Sequence, residues 1–237
     1  MSSKEKSVVN KIIIVAALGY FVDIYDLILF SVIRIKSLKG LGVSESDLLE
    51  VGTMLINSQM FGMLIGGILW GVLGDKKGRL SVLFGSILLY SAANLANGFV
   101  TTVEQYAIIR FIAGIGLAGE LGAGITLVTE TMSKENRGYG TMIVAGVGLM
   151  GAVAAAIIGE NYAWETSYII GGIMGLLLLG MRVGLAESGM FKNLKNDGVS
   201  KGNIFMLFSD GKRFKKYLSC ILIGIPLWFV VGVLVTF

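Results

Sequence analysis

The sequence predicts an all-α membrane protein, and three observations carry that prediction. Hydrophobic residues make up 54% of the 237 positions, charged residues only 15%, and mean hydropathy is +0.78. A soluble domain carries about 25% charged residues. Seven apolar stretches reach the length of about 20 residues that a helix needs to cross a bilayer core. Lys and Arg segregate strongly to one side of those stretches, as cytoplasmic loops require.

The stretches run over residues 12–33, 48–73, 80–100, 105–129, 140–159, 166–185 and 217–237. The first follows Lys4, Lys6 and Lys11, as a signal peptide would. Asp23 and Asp26 interrupt it, however, and no small-residue cleavage site follows, so it reads as an uncleaved helix. The second opens after Ser44-Glu-Ser-Asp47, a helix-start signal. Its Gly62, Gly66, Gly67 and Gly71 are expected to let a neighbouring helix approach. The fourth contains Gly114-Ile-Gly116-Leu-Ala-Gly119, which fits a dinucleotide-binding pattern. That pattern needs a strand before it and a helix opening within it, and an apolar span offers neither, so packing is the better reading. Connections are short, which suits antiparallel neighbours. Residues 1–185 contain the first six spans, read as one six-helix transmembrane unit. Residues 186–216 are polar and basic and read as a cytoplasmic linker, with Ile204–Phe208 as an interfacial piece. A nucleic-acid-binding tail does not fit between two spans. The seventh span, residues 217–237, contains Pro226.

With the N-terminus inside, sixteen of the twenty basic residues are cytoplasmic, Arg182 among them. Arg34, Lys36 and Lys39 lie outside, and Arg110 lies within a span. One Cys (Cys220) and no His exclude an internal disulfide framework, a His-based metal site and a Ser–His–Asp triad. No nucleophile–base pair, phosphate loop or metal cluster is visible. The chain reads as no enzyme and calls for no cofactor.

Charges at membrane depth are the informative residues, because burying one costs roughly 3 kcal/mol or more on insertion scales. At ~1.5 Å per residue, Asp26 stands about 21 Å above the cytoplasmic edge and Arg110 about 28 Å. An Arg side chain can span that difference. The same arithmetic puts Asp23 near ~16 Å and Glu120 near ~14 Å. Asp26 and Arg110 are therefore expected to pair. An Asp beside Arg stays ionised, and moved away in a dry site it takes a proton, so the pair can couple movement to proton transfer. The alternative is a permanent structural ion pair. Asp23, Tyr20, Tyr25 and Glu120 are further candidates for a substrate cavity, although aromatic residues within spans more often serve packing.

Gly71-Val-Leu-Gly74-Asp75-Lys76-Lys77-Gly78-Arg79 resembles the loop motif G-x-x-x-D-(R/K)-x-G-R of the major facilitator superfamily. Gly19-Tyr-Phe-Val-Asp23-Ile-Tyr25-Asp26 resembles the first-helix pattern of its metabolite:proton symporters, with Ile24 in place of one aromatic. The run from Arg110 to Glu120 is similar to the fourth-helix pattern R-x-x-x-G-x-G-x-x-G-E. Glu130 with Arg137-Gly138 resembles the signature between helices four and five. Arg182-Val-Gly-Leu-Ala-Glu187-Ser188-Gly189-Met-Phe191 resembles R-x-x-L-x-E-(S/T)-P-x-F, with Gly189 in the Pro position. The fifth helix lacks the G-P pair associated with antiporters. The resemblance covers essentially the whole chain.

The resemblance implies the six-helix N-terminal bundle of that fold plus a seventh transmembrane helix. It implies a secondary active transporter importing a small polar metabolite, an organic acid or zwitterion, with protons across the bacterial inner membrane. Asp75, Arg79, Glu130, Arg137 and Glu187 would be a cytoplasmic charge latch between the two halves. Their alternative role is that of solvated positive-inside charges. The partners expected are the metabolite, protons, the bilayer and a C-terminal half. Still open are a proton-independent facilitator or antiporter and a non-transporting remnant or partner subunit. Because the seventh span lacks packing partners in its own half, truncation is the expected reason for the end at Phe237. A cropped piece and a half-size protein that dimerises are the alternatives. Alone, the chain is expected not to perform alternating access.

Overall fold

Backbone polar groups inside a bilayer must be satisfied within the protein, and helices do this segment by segment. The computed structural model describes residues 3–132, 136–182, 202 and 208–230. Among them are seven helices: α1 Ser3–Gly40, α2 Leu48–Lys77, α3 Arg79–Asn97, α4 Val103–Thr131, α5 Arg137–Asn161, α6 Trp164–Met181 and α7 Gly211–Phe229. Six of them, α1 to α6, are long and apolar enough to cross a membrane. The protein is a multi-pass membrane protein.

Helices α1 and α5 pack along each other, as do α2 and α4, and α3 lies against α4 and α6. Tyr25, Leu29, Ile33, Leu55, Tyr106 and Tyr168 form one buried cluster among α1, α2, α4 and α6. Ile13, Ala17, Val82, Ala123 and Val144 form another towards the opposite end. Large apolar side chains such as Phe61, Leu64, Ile68, Leu149 and Ile157 point outward from α2 and α5. An inward-polar, outward-apolar arrangement suits lipid or another helical half, not water.

Several boundaries differ from the sequence reading. Helix α1 continues past residue 33 to Gly40 because Lys36 donates to the carbonyls of Gly159 and Glu160, each at 2.9 Å, at the end of α5. Lys39 pairs with Glu45 at 2.7 Å in the following turn and holds its carboxyl below the ordinary range. Asp47 stands at the N-cap of α2 but makes no side-chain capping bond, and Ser44 and Ser46 bond each other instead. Helix α2 runs to Lys77, so Asp75, Lys76 and Lys77 are helical and not in a loop. Only Gly78 separates α2 from α3. Its φ of 97° lies in the left-handed region, which a residue without Cβ adopts at no steric cost. Thr102 starts α4 by accepting from the backbone N–H of Gln105 at 3.3 Å, while Gln105 accepts in return from Thr101.

Helix α7 begins at Gly211, inside the segment read as linker, with Asp210 accepting from the Lys212 backbone at 3.0 Å. Of that linker, residues 186–201 and 203–207 lie outside the described residues, as do residues 183–185 of the sixth span. So do residues 231–237 of the seventh span.

Candidate functional site: two buried ion pairs and a charge cluster at the end of the bundle

Five ionisable side chains are buried in the bundle among the described residues: Asp23, Asp26, Arg110, Glu120 and Arg182. They divide into two groups one above the other. The upper group joins α1, α2, α4 and α6. Arg110 Nη1 lies 3.8 Å from Asp26 Oδ1, with both side chains fully buried. This distance is long for a hydrogen bond, and Asp26 Oδ1 has no hydrogen-bond partner among the described residues. Gln59 bridges the two, its Oε1 accepting from Arg110 Nη2 and its Nε2 donating to Asp26 Oδ2 at 3.5 Å.

The approach of α2 to α4 puts Gln59 there. A Cβ on Gly114, one turn after Arg110, would collide with the Gln59 carbonyl. The glycines of the decoy dinucleotide pattern are therefore packing surfaces. Gly116 meets the Tyr90 backbone and Gly119 meets Trp70. Around Arg110, the Phe30 ring lies 4.6 Å from the guanidinium carbon, and Tyr168 accepts at 3.4 Å. Tyr168 in turn shares a 2.6 Å hydrogen bond with Tyr106. Arg110 is thus anchored by aromatic rings, and Asp26 is held to it mainly by charge and through an amide.

The lower group is built differently. Arg182, just beyond α6, grips Glu120 with two nitrogens: Nη1 reaches Oε2 at 2.8 Å and Nη2 reaches Oε1. Nη1 also donates to the Leu83 carbonyl of α3. Gly19 of α1 makes room for this pair, since a Cβ there would strike the Glu120 carboxylate and the Arg182 guanidinium. Sequence reasoning counted Arg182 among the cytoplasmic loop charges. The structure corrects this, because Arg182 is fully buried and turned inward to satisfy Glu120. Sequence reasoning also missed Gln59, which carries no charge to draw attention.

The other cavity candidates take various places. Asp23 is buried, one turn above Gly19, and neither of its carboxylate oxygens has a hydrogen-bond partner among the described residues. Tyr25 donates to the Ser167 carbonyl at 2.8 Å and packs in the core against α6. Tyr20 is half-buried against Gly148 of α5.

At the end of the bundle where α2 meets α3, Arg79 bonds Asp75 at 3.1 Å across one helical turn and lies 3.7 Å from Glu130 of α4. Arg137 donates to the Met132 carbonyl at 3.2 Å. Glu187 lies outside the described residues. Beside this cluster, Gly67, Trp70, Gly71 and Gly74 of α2 face Gly119 and Gly122 of α4 across a groove of about 200 Å³. Gly62 and Gly66 do admit the α4 backbone, as expected. Gly67 and Gly71 do not: a Cβ on either would meet nothing within 4 Å among the described residues.

A family model described as the Major Facilitator Superfamily matches residues 16–237. The chain belongs to the major facilitator superfamily. Among curated relatives, it is 30% identical over 184 residues to the sialic acid transporter NanX of Escherichia coli, covering 76% of this chain and 44% of that protein. It is 32% identical over 153 residues to the 4-hydroxybenzoate transporter PcaK of Pseudomonas putida, covering 62% and 34%. Among solved structures, the proton:xylose symporter XylE of E. coli matches with a TM-score of 0.70 at 20% identity, over 81% of this chain and 48% of that one. That likeness shows the shared fold. The chain spans less than half the length of the curated relatives it matches. Its relatives are transporters, and this superfamily member is not an enzyme.

Proposed function

We propose that this chain is the N-terminal half of a secondary active transporter that imports a small organic acid or related polar metabolite together with protons. The N-terminus faces the cytoplasm across a bacterial inner membrane, in line with the segregation of Lys and Arg. The chain's seventh helix begins a second six-helix half, and substrate binds between the halves near the midplane, as in inverted-repeat carriers generally. Sialic acid and 4-hydroxybenzoate, the solutes in two relatives' names, are both carboxylic acids, which supports an organic anion as the solute class.

The observation that carries the reading is the loose, fully buried Asp26–Arg110 contact with Gln59 between its members. Buried ion pairs contribute little net stability, so a slack one held in a polar bridge needs another reason to be present. Asp26 is the proton carrier in this reading. It is ionised while Arg110 faces it, and takes a proton when movement of α1 against α4 separates the two. Arg110, released, attracts the anionic solute. The Asp75–Arg79–Glu130 cluster, with Arg137 and Glu187, latches the cytoplasmic side to the other half.

The test is uptake by the complete transporter containing this chain, reconstituted in vesicles and offered carboxylate and neutral solutes under an inward proton gradient. Asp26→Asn is expected to abolish gradient-driven accumulation while leaving solute exchange measurable. Accumulation at the wild-type rate in that variant would remove Asp26 from the proton pathway.

A further inference from the structure

Among the described residues, the buried charges of the bundle do not balance. Asp23, Asp26 and Glu120 are three carboxylates, and Arg110 and Arg182 are two guanidiniums, all sealed from solvent. Arg110 is opposite Asp26, and Arg182 is engaged by both oxygens of Glu120. Asp23 is left over, with both oxygens lacking a hydrogen-bond partner among the described residues.

Among the described residues, the groups around Asp23 offer no spare positive charge. On its own helix, Tyr20 and Asp26 are in electrostatic reach. From α3 comes Tyr90, whose hydroxyl has no hydrogen-bond partner among the described residues. Arg182 reaches in from the end of α6 but is already committed to Glu120 of α4. The charged residues of α2 and α5 stand at the ends of those helices: Glu50, Asp75, Lys76 and Lys77 on one, Arg137 and Glu160 on the other. A lone anion in a dry site neutralises itself by taking a proton.

We infer that Asp23 holds a resident proton, so that Asp23, Glu120 and Arg182 form a second proton-binding site of the bundle, separate from the Asp26–Arg110 pair. Position favours this: Asp23 is four residues after Gly19, on the α1 face against which the Glu120–Arg182 pair is seated. Two carboxylates therefore compete for one guanidinium. Glu120 has it in this structure, and Asp23 is neutral. Should Arg182 turn to Asp23, the proton leaves Asp23 and Glu120 must accept one. The number of protons stays constant while the carboxyl that holds one changes. This site does not depend on the transport reading above, and its protonation is measurable without transport.

The experiment is infrared spectroscopy of the full chain in lipid nanodiscs at neutral pH, where a protonated carboxyl absorbs apart from ionised carboxylates. The wild type is expected to show a carboxylic-acid band that Asp23→Asn removes and Asp23→Glu retains. Glu120→Gln should also remove it, although Asp23 is still present, because Arg182 then lacks an anion and Asp23 ionises beside it. Circular dichroism and gel filtration identify any variant that has failed to fold, and Asp23→Glu supplies the comparison if Asp23→Asn does. No acid band in the wild type, or a band surviving Asp23→Asn, overturns the assignment. A band that survives Glu120→Gln refutes the competition for Arg182. Loss of the band on adding sodium or potassium at fixed pH would show a metal cation, not a proton, as the preferred occupant.

Discussion

The two buried ion pairs use the same chemistry to different ends. Glu120 and Arg182 meet in a fork-to-fork grip, further tied to the α3 backbone, across the place where α1 comes closest through Gly19. Asp26 and Arg110 stay 3.8 Å apart and share Gln59. Bidentate carboxylate–guanidinium geometry is strong and directional, whereas a slack pair is held mostly by charge. The lower pair therefore fixes α4, α3 and the end of α6 together, and the upper pair leaves α1 and α4 able to change their contact. The contrast places rigidity towards the end of the bundle where α6 finishes and freedom near its middle.

The largest effect that would break this comparison comes from removing one partner of the tight pair. Arg182→Ala leaves Glu120 buried and unpaired and should cost about 3–5 kcal/mol, the range for breaking a buried pair. Thermal unfolding in a fixed detergent measures it, and a near-neutral result would mean that Glu120 has another partner. Gln59→Leu should cost less, about 1–3 kcal/mol, since it strips a bridge from two charges. It should also change the pH dependence of uptake in the complete transporter, which a purely structural Gln59 would leave alone. Gly78→Ala puts a Cβ on a backbone at φ 97° and ψ 160° between α2 and α3, a region essentially confined to glycine, at about 1–3 kcal/mol. Least affected is Arg79→Ala. Its partly exposed bridges to Asp75 and Glu130 should contribute about 0–1 kcal/mol to stability. Uptake by the complete transporter should nevertheless fall if these charges latch the two halves.

Depth was readable from the sequence, and azimuth was not. Helical rise alone put Asp26 and Arg110 within reach, because alternating helices share a common vertical scale. The same arithmetic set Asp23 and Glu120 at one level, whereas Glu120 lies against Gly19, one turn below Asp23, and it could not say which way each points around its helix. Tyr25 shows the cost of that ignorance: it is adjacent to Asp26 in sequence yet turned into the α6 interface. Arg182 was misplaced because it follows the last apolar residue of α6, where a long cation ordinarily extends towards the interface. Here a buried carboxylate draws it inward. The polar positions of α3, Ser86, Tyr90, Asn94 and Asn97, recur every three or four residues and are all buried. That spacing was available as a signal that α3 turns a polar face to the bundle centre. The charged run 75–79 was visible as a motif, but the continuation of α2 through Lys77 was not, since polar residues at a span's end resemble a loop.

The most direct test sets the two pairs side by side. Asp26→Asn removes the carboxylate of the upper pair, and the double variant Asp23→Asn/Glu120→Gln removes that of the lower pair together with the acid that would otherwise ionise in its place; both can be melted in the same nanodisc lipid. The thermal midpoint should drop severalfold more for the double variant than for Asp26→Asn. Equal drops, or a larger one for Asp26→Asn, would contradict the assignment of a structural clamp below and a movable contact above.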